Sequence, residues 1–487
     1  MRRSVLFPVL ILLLLCTAAS ADRIVTITFT GDCTIGSTEL TRNQPTSLDT
    51  KAKEMGYGYF FANFEKMFAE DDATIINFEG VLQDYPSNEN KNKTYRFRGP
   101  NEFTQILTGA SIEAAGLANN HVADYGRLGL QRTQETLAAA GIPTFRITVP
   151  YILEKDGIRV AFFALDTSTY PTNGPKVRKI ISEMKNSGQA DAVVLLYHGG
   201  NEYDPKHNAN QSLVVRQCID AGVDLIIMHH PHVVQGIGLY NNRYVCYSLG
   251  NFVFGGNCEV REEPYRGGIV VSSLYCLVVR AELHFDDDGK YLGQQLYLYP
   301  GFISGDYPHN DYQPRLVTGE DAEIVFEHVQ FDTDFQLPGF DEELGCIVLP
   351  YAAVGEEMDL ATPDPTVRTT RRPSTPKPTQ TAAPTHRPAT PPPVTPTPGP
   401  TAPAPTSEAG NDPDPTSGGN PDPTPGSDPD PTPGGKPDPT PGGNPDPTPG
   451  GDPAPSSGGD SGQPSGDPGS SSGNGSDSAP SEGGGDE

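Results

Sequence analysis

Asp32, Glu79, Asn120, His121, His198, His230 and His232 lie far apart in the chain, yet each comes within a residue or two of the end of an apolar run. Carboxylates, imidazoles and one amide oxygen form a mixed oxygen and nitrogen donor set, which suits Zn, Mn, Fe or Mg and is unlike a thiolate site. Singly, each has a plainer role. A histidine after a strand usually satisfies a local hydrogen bond, and an aspartate there caps a turn. The stretch IIMHHPHVVQG (226–236) is more telling, because it holds three of the ten histidines. In an extended segment His230 and His232 would face one way and His229 the other, toward the core or behind the ligands.

These side chains need strands to carry them. The runs RIVTITFTG (23–31), DATIINFEG (72–80), SIEAAGLANNH (111–121), RVAFFALD (159–166), DAVVLLYHGG (191–200) and VDLIIMHHPH (223–232) read as strands. RLGLQRTQETLAAAG (127–141) and NQSLVVRQCIDAG (210–222) read as helices closed by Gly141 and Gly222. Strands alternating with helices predict an α/β fold whose central strands are buried on both faces. In such sheets ligands collect at the carboxyl ends of the strands, which is where the seven residues fall.

The globular part is expected over 22–360. From residue 361 to 487 there is no aromatic residue and Pro, Gly, Ser, Thr and Asp dominate, so the segment is expected to be disordered. An octapeptide pattern, DPDPTSGG onward from Asp412, reads as an extended spacer through a cell wall, and the Thr-rich stretch before it could carry O-linked sugars. MRRSVLFPVLILLLLCTAASA (1–21) reads as an export signal cut before Asp22; a lipid-modified Cys16 and an uncleaved anchor are the alternatives. The expected location is extracellular or on the cell envelope. Six further cysteines permit disulfides in an exported chain without requiring them. The formal charge is −28, and 46 acidic side chains face 26 basic ones between the signal and the tail. That balance argues against nucleic acid as a partner. It also means that an anionic substrate would need bound cations to reverse the local field.

The motifs TFTGDCTIG, NFEG, LANNHVADYG, YHGGNEY, MHHPHVVQG and YSLGNFVFGG, in this order over 23–260, resemble those of the CapA family of poly-γ-glutamate capsule biosynthesis proteins. That family belongs to the calcineurin-like metallophosphatase superfamily. The resemblance implies a sandwich of two central sheets flanked by helices and a centre of two divalent metal ions. Asp32 and His232 would serve the first metal, Glu79 would bridge, and Asn120, His198 and His230 would serve the second. His121 would contact the scissile group or protonate the leaving group, with Asp124 orienting it. Thr34 stands where the wider superfamily has a histidine, and Glu79 where it has an aspartate.

Other residues are read as contacts of the site. Glu202 would add an acid to the site, steady His198 or meet substrate, Asn251 would hydrogen-bond a ligand, and Gly255 and Gly256 would bring backbone close to the pocket. Arg96 and Arg98, alternating in YRFRGP, would form an anion clamp if they faced the metals; otherwise they line an exposed edge. Sequons at Asn92 and Asn210 match the glycosylation pattern. The substrate would be an anionic polymer or a phosphoester, and membrane-bound polymer synthase components are the candidate partners. Three roles remain open: a metal-dependent hydrolase using activated water, a non-catalytic auxiliary of polymer synthesis or export, and a wall-associated binding module.

Overall fold

The computed structural model describes residues 23–266 and 269–363. The expected export signal lies outside them, as does the tail apart from its first three residues. Among the described residues no helix is long and apolar enough to cross a membrane.

The elements that matter to the site are strands β1 (Arg23–Phe29), β2 (Asp32–Thr34), β3 (Ala73–Glu79), β4 (Ala114–Gly116), β5 (Tyr151–Lys155), β6 (Ile158–Asp166), β7 (Ala192–His198) and β8 (Leu225–His229). They continue with β9 (Ile237–Tyr240), β10 (Arg243–Cys246), β11 (Asn251–Phe254), β12 (Tyr275–Phe285) and β13 (Tyr291–Phe302). Helices α1 (Gly126–Ala139), α2 (Tyr170–Ser187), α3 (Ala209–Ile219) and α4 (Gly319–Gln330) pack around them. The result is mixed α/β: one sheet runs β11-β2-β3-β1-β12-β13 with β4 beside β3, and another runs β9-β10-β8-β7-β6-β5.

The apolar runs form strands because both of their faces find a core. In β7, Val194 and Leu196 join a cluster shared with Ile27 and Phe29 of the first sheet, while Val193, Leu195 and Tyr197 meet Val177, Ile181 and Val214 of α2 and α3. Burying each such side chain contributes about 1.5–3 kcal/mol. Helix α3 begins at a reciprocal cap between Asn208 and Gln211, which satisfies backbone donors at its first turn. The predicted glycine stops lie just beyond α1 and α3, at Gly141 (φ 83°) and Gly222 (φ 111°).

Two strand expectations change. Asp32 does not close β1; the chain breaks at Thr30 and Gly31, and Asp32 opens β2, which also pairs β3 in parallel. Only glycine fits at 31, since a Cβ there would lie 2.4 Å from the Gly250 carbonyl oxygen. The strand predicted over 111–121 shrinks to β4, because Asn119 Oδ1 accepts the His121 backbone N–H at 3.0 Å and turns the chain. The expected close backbone at Gly255 is present, with Gly36 oxygen 2.0 Å from any added Cβ. Cys33, Cys218, Cys246, Cys258, Cys276 and Cys346 are all free thiols.

Glu113, just before β4, accepts the Thr74 backbone N–H at 2.7 Å, and burial raises its carboxyl to about 7. Its unfolded value is near the ordinary 4.5, so its contribution to stability is full below that pH and is lost as pH rises through about 7. Glu113→Gln keeps the acceptor oxygen without the charge. Its melting temperature relative to wild type is expected to rise by about 2–4 °C between pH 5 and pH 8, measured by calorimetry.

Candidate metal centre

Strands β3, β7 and β8 end together, so their last residues converge where the two sheets meet. Glu79 closes β3, His198 closes β7, and His229 closes β8, in register with His198. Asp32 and Glu79 are 0% and 1% exposed. One donor atom from each of Asp32, Glu79 and His198 lies within 4.8 Å of the other two; Glu202, His230 and His232 form a second such group. The His198 and His230 ring centroids are 4.7 Å apart, which joins the two groups.

The H-P-H segment reaches the site by a different route from the expected extended one. β8 stops at His229, and His230 and His232 take positive φ of 100° and 58°. Leu225 and Ile227 face the core between the sheets, so His229 continues that inward phase; its Nδ1 is 3.0 Å from Asp32 Oδ1. In an extended chain His230 would follow Ile226 and Met228 to the outer face. The left-handed turn brings it inward instead, at a backbone cost of about 1–3 kcal/mol per such residue. His229 is therefore a contact of Asp32 and does not point away.

Asn77 ties the first group together. Its Nδ2 donates to Asp32 Oδ1 (2.9 Å) and Glu79 Oε1 (3.1 Å) and lies 3.3 Å from His198 Nδ1, while its Oδ1 accepts from Asn119 Nδ2 (3.1 Å). Two-residue spacing from Glu79 on one strand was the available signal for it. Asn120 is exposed, with Oδ1 2.9 Å from His198 Nε2. His121 Nδ1 is 2.8 Å from Asp124 Oδ2, and Asp124 also accepts the Phe97 backbone N–H at 2.7 Å. Lys93, which nothing in the sequence marks, pairs with Asp124 and donates to the Asn120 carbonyl at 2.6 Å. Phe97 packs on His121 (4.5 Å between centroids) and Phe254 on His232 (4.8 Å), walling the site with aromatic rings.

Several sequence assignments are corrected. Of the alternatives for Glu202, its grouping with His230 and His232 favours the added acid over a partner of His198. Asn251 does not project toward a ligand: its Oδ1 is 2.9 Å from His232 Nδ1, so it orients that ring. Arg98 is buried in β-structure opposite Val81, and its guanidinium donates to Glu39 (2.7 and 3.3 Å) and to the Gln83 and Asp84 carbonyls (2.8 and 3.0 Å). Arg96 donates to Glu89 at 2.7 Å. Neither faces the carboxylates as an anion clamp, because nearer acceptors occupy both. Cys33 is a packed thiol 3.6 Å from Thr30 Oγ1, pushed up to about 12 by burial.

Electrostatics divide the site. Burial alone would raise the Asp32 carboxyl, but contacts and charge from His229 and His232 outweigh it and hold Asp32 well below the usual range. Burial, reinforced by the Asp32 charge, raises Glu79 well above its ordinary value. Burial lowers His198 and takes His230 to about 4, with neighbouring imidazoles adding to each. His232 goes the other way: burial opposes its protonation, yet Asp32 and Glu79 raise it to about 10. Glu79 Oε2, His230 Nδ1 and Thr34 Oγ1 are buried without a hydrogen-bond partner in the protein. Buried polar atoms are normally satisfied, so lone pairs left open among two carboxylates and several imidazoles fit a bound divalent cation.

Residues 26–256 match the family model described as bacterial capsule synthesis protein PGA_cap. The chain is 30% identical over 223 residues to capsule biosynthesis protein CapA of Bacillus anthracis, covering 41% of this chain and 54% of that protein. It is 27% identical over 257 residues to PGA biosynthesis protein CapA of Bacillus subtilis (strain 168), covering 48% and 64%. With a probable polyglutamine synthesis accessory protein of Mycobacterium tuberculosis (strain ATCC 25618 / H37Rv), identity is 23% over 227 residues, covering 39% and 59%. The chain thus spans less than two thirds of the length of each of these relatives.

Arg98→Ala removes four hydrogen bonds from a buried guanidinium and leaves Glu39 without that partner. A loss of about 2–3 kcal/mol in stability is expected, read from denaturant unfolding, with bound metal per chain unchanged by elemental analysis.

Proposed function

Because this chain belongs to the PGA_cap family of bacterial capsule synthesis proteins, we propose that it is an exported, metal-dependent hydrolase of capsule-polymer metabolism with a metallophosphatase-like centre. Its substrate on this reading is an anionic polymer such as poly-γ-glutamate or a phosphoester, handled together with membrane-bound synthase components. The observation that carries it is the buried, unpartnered Glu79 Oε2 and His230 Nδ1 beside Asp32 and His198.

Asp32, Glu79, Asn120, His198, His230 and His232 would hold two divalent cations, with Glu202 added to the His230 and His232 group. When bound, such cations polarise the scissile group and make water nucleophilic at neutral pH. His121 supplies the protein's own proton transfer. Burial lowers its pKa, so the resting ring is neutral, and donation from Nδ1 to Asp124 leaves Nε2 as the working atom. Lys93 keeps Asp124 compensated in this arrangement. The aromatic wall of Phe97 and Phe254 keeps water from one side of the rings.

Thr34 favours a second reading, in which the domain is a binding auxiliary of polymer synthesis. Its hydroxyl, buried beside Glu79 in the sheet, is a weaker donor to a metal than an imidazole. The two readings separate on one set of measurements with the full chain loaded with Mn or Zn. Near-stoichiometric metal in wild type is expected, lost in Asp32→Asn and His232→Ala. His121→Gln is expected to retain metal while kcat for phosphoester or γ-glutamyl hydrolysis falls by roughly 10²–10⁴-fold. A wild-type protein that takes up no metal ends the hydrolase reading and leaves the auxiliary.

A further inference from the structure

The second sheet has an outer face that the metal centre does not use. A cavity of about 410 Å³ opens there between α2 and α3. Its floor is Tyr197, which precedes His198 but points the opposite way along β7, into the outer cluster. Tyr197 OH is 3.2 Å from Thr167 Oγ1, and Thr167 follows β6 at the same carboxyl edge. Tyr170 stands edge-on to Tyr197, with centroids 5.8 Å apart at 83°. Its hydroxyl accepts from Arg178 Nη1 at 2.8 Å and donates to Gln217 Oε1 at 2.9 Å.

Arg178 is the only cation lining this cavity, and no carboxylate of the described residues lies within ion-pair distance of it. Arg96, Arg98, Arg159, Lys185 and Arg243 have acidic partners, whereas Arg178, like Arg132 and Arg146 among the described residues, has no ion pair. Tyr170 takes one guanidinium N–H and fixes the side chain in place, while the other edge of the fork remains for an incoming acceptor. A planar fork of this kind matches a carboxylate through two parallel hydrogen bonds. Beside it, the faces of Tyr170 and Tyr197 and the exposed Leu213 offer apolar cover for a short aliphatic stem.

We propose that this cavity is a second ligand site, distinct from the metal centre, that takes a carboxylate carried on a short methylene chain, as in a glutamyl side chain or chain end. Arg178 pairs with the carboxylate and the tyrosine rings cover the methylenes. The larger molecule to which that group belongs, an acidic polymer, rests on the functional reading above; the carboxylate site does not. Its place across one strand from His198 lets a chain draped over the carboxyl edge of the sheet reach both faces.

The test uses the full chain and a synthetic γ-linked glutamate oligomer, with binding followed by isothermal titration calorimetry in wild type, Arg178→Gln and Leu213→Glu. Arg178→Gln is expected to weaken binding at least tenfold. Leu213→Glu, which puts a like charge at the cavity mouth, is expected to weaken it severalfold. Glu183→Gln, at an exposed position of α2 that does not line the cavity, should stay within twofold of wild type. Equal affinity in wild type and both cavity variants overturns the site, as does absence of oligomer binding by wild type. Arg178-dependent binding of inorganic phosphate but not of the oligomer overturns the carboxylate assignment. Arg178-dependent oligomer binding by a protein that takes up no metal sustains this site while the hydrolase reading falls.

Discussion

Two carboxylates removed from water within reach of one another are the constraint around which this molecule is arranged. Asp32 and Glu79 are both fully enclosed, and among the described residues neither has a lysine or arginine against it. Like charges so placed repel strongly in a medium that screens them poorly, so one carboxyl ionises readily and the other resists. Among the described residues the protein meets this with an amide and with imidazoles, and not with lysine or arginine. Asn77 donates to both acids, and His229 and His232 flank Asp32. What is still unsatisfied is a set of open lone pairs, in groups that could hold a cation.

The backbone is bent to maintain that set. His230 and His232 occupy the left-handed region, where side-chain-bearing residues are uncommon, and the chain accepts this at a point where two sheets hold it on both sides. Gly31 and Gly255 allow backbones to approach closer than any Cβ permits. Asn251 then orients His232 from β11, which lies in register with Asp32 of β2. Each of these devices is local, yet none would be stable without the cores on either side of the second sheet. The same two-sidedness gives β7 two chemistries one residue apart, an imidazole inward and a phenol outward.

Much of the fold and of the site was legible in the chain itself. Apolar runs ending in Glu79, His198 and His229 marked strands with polar tips, and Gly141 and Gly222 marked where helices stop. Residue types alone specified an oxygen and nitrogen donor set. What alternation could not supply was the direction of any side chain beyond the last ladder hydrogen bond. His230 was predicted inward from an extended backbone that does not exist, and His229, expected opposite it in the core or behind the ligands, lies buried against Asp32 in phase with Leu225 and Ile227. Arg98 failed for a different reason: its partner Glu39 is 59 residues away and nothing local announces it.

The sequence by itself thus determined the strands, the residues at their ends and the coordination chemistry those residues favour, because hydrophobic periodicity and ligand type are properties of short stretches. Tertiary structure decided which donors share a group, that Glu202 joins His230 and His232, that Asn251 and Asn77 serve as positioning residues, and that Arg178 has no acid within ion-pair distance among the described residues. Those outcomes depend on register between sheets and on a left-handed turn, whose cost is offset only by contacts made across the whole domain.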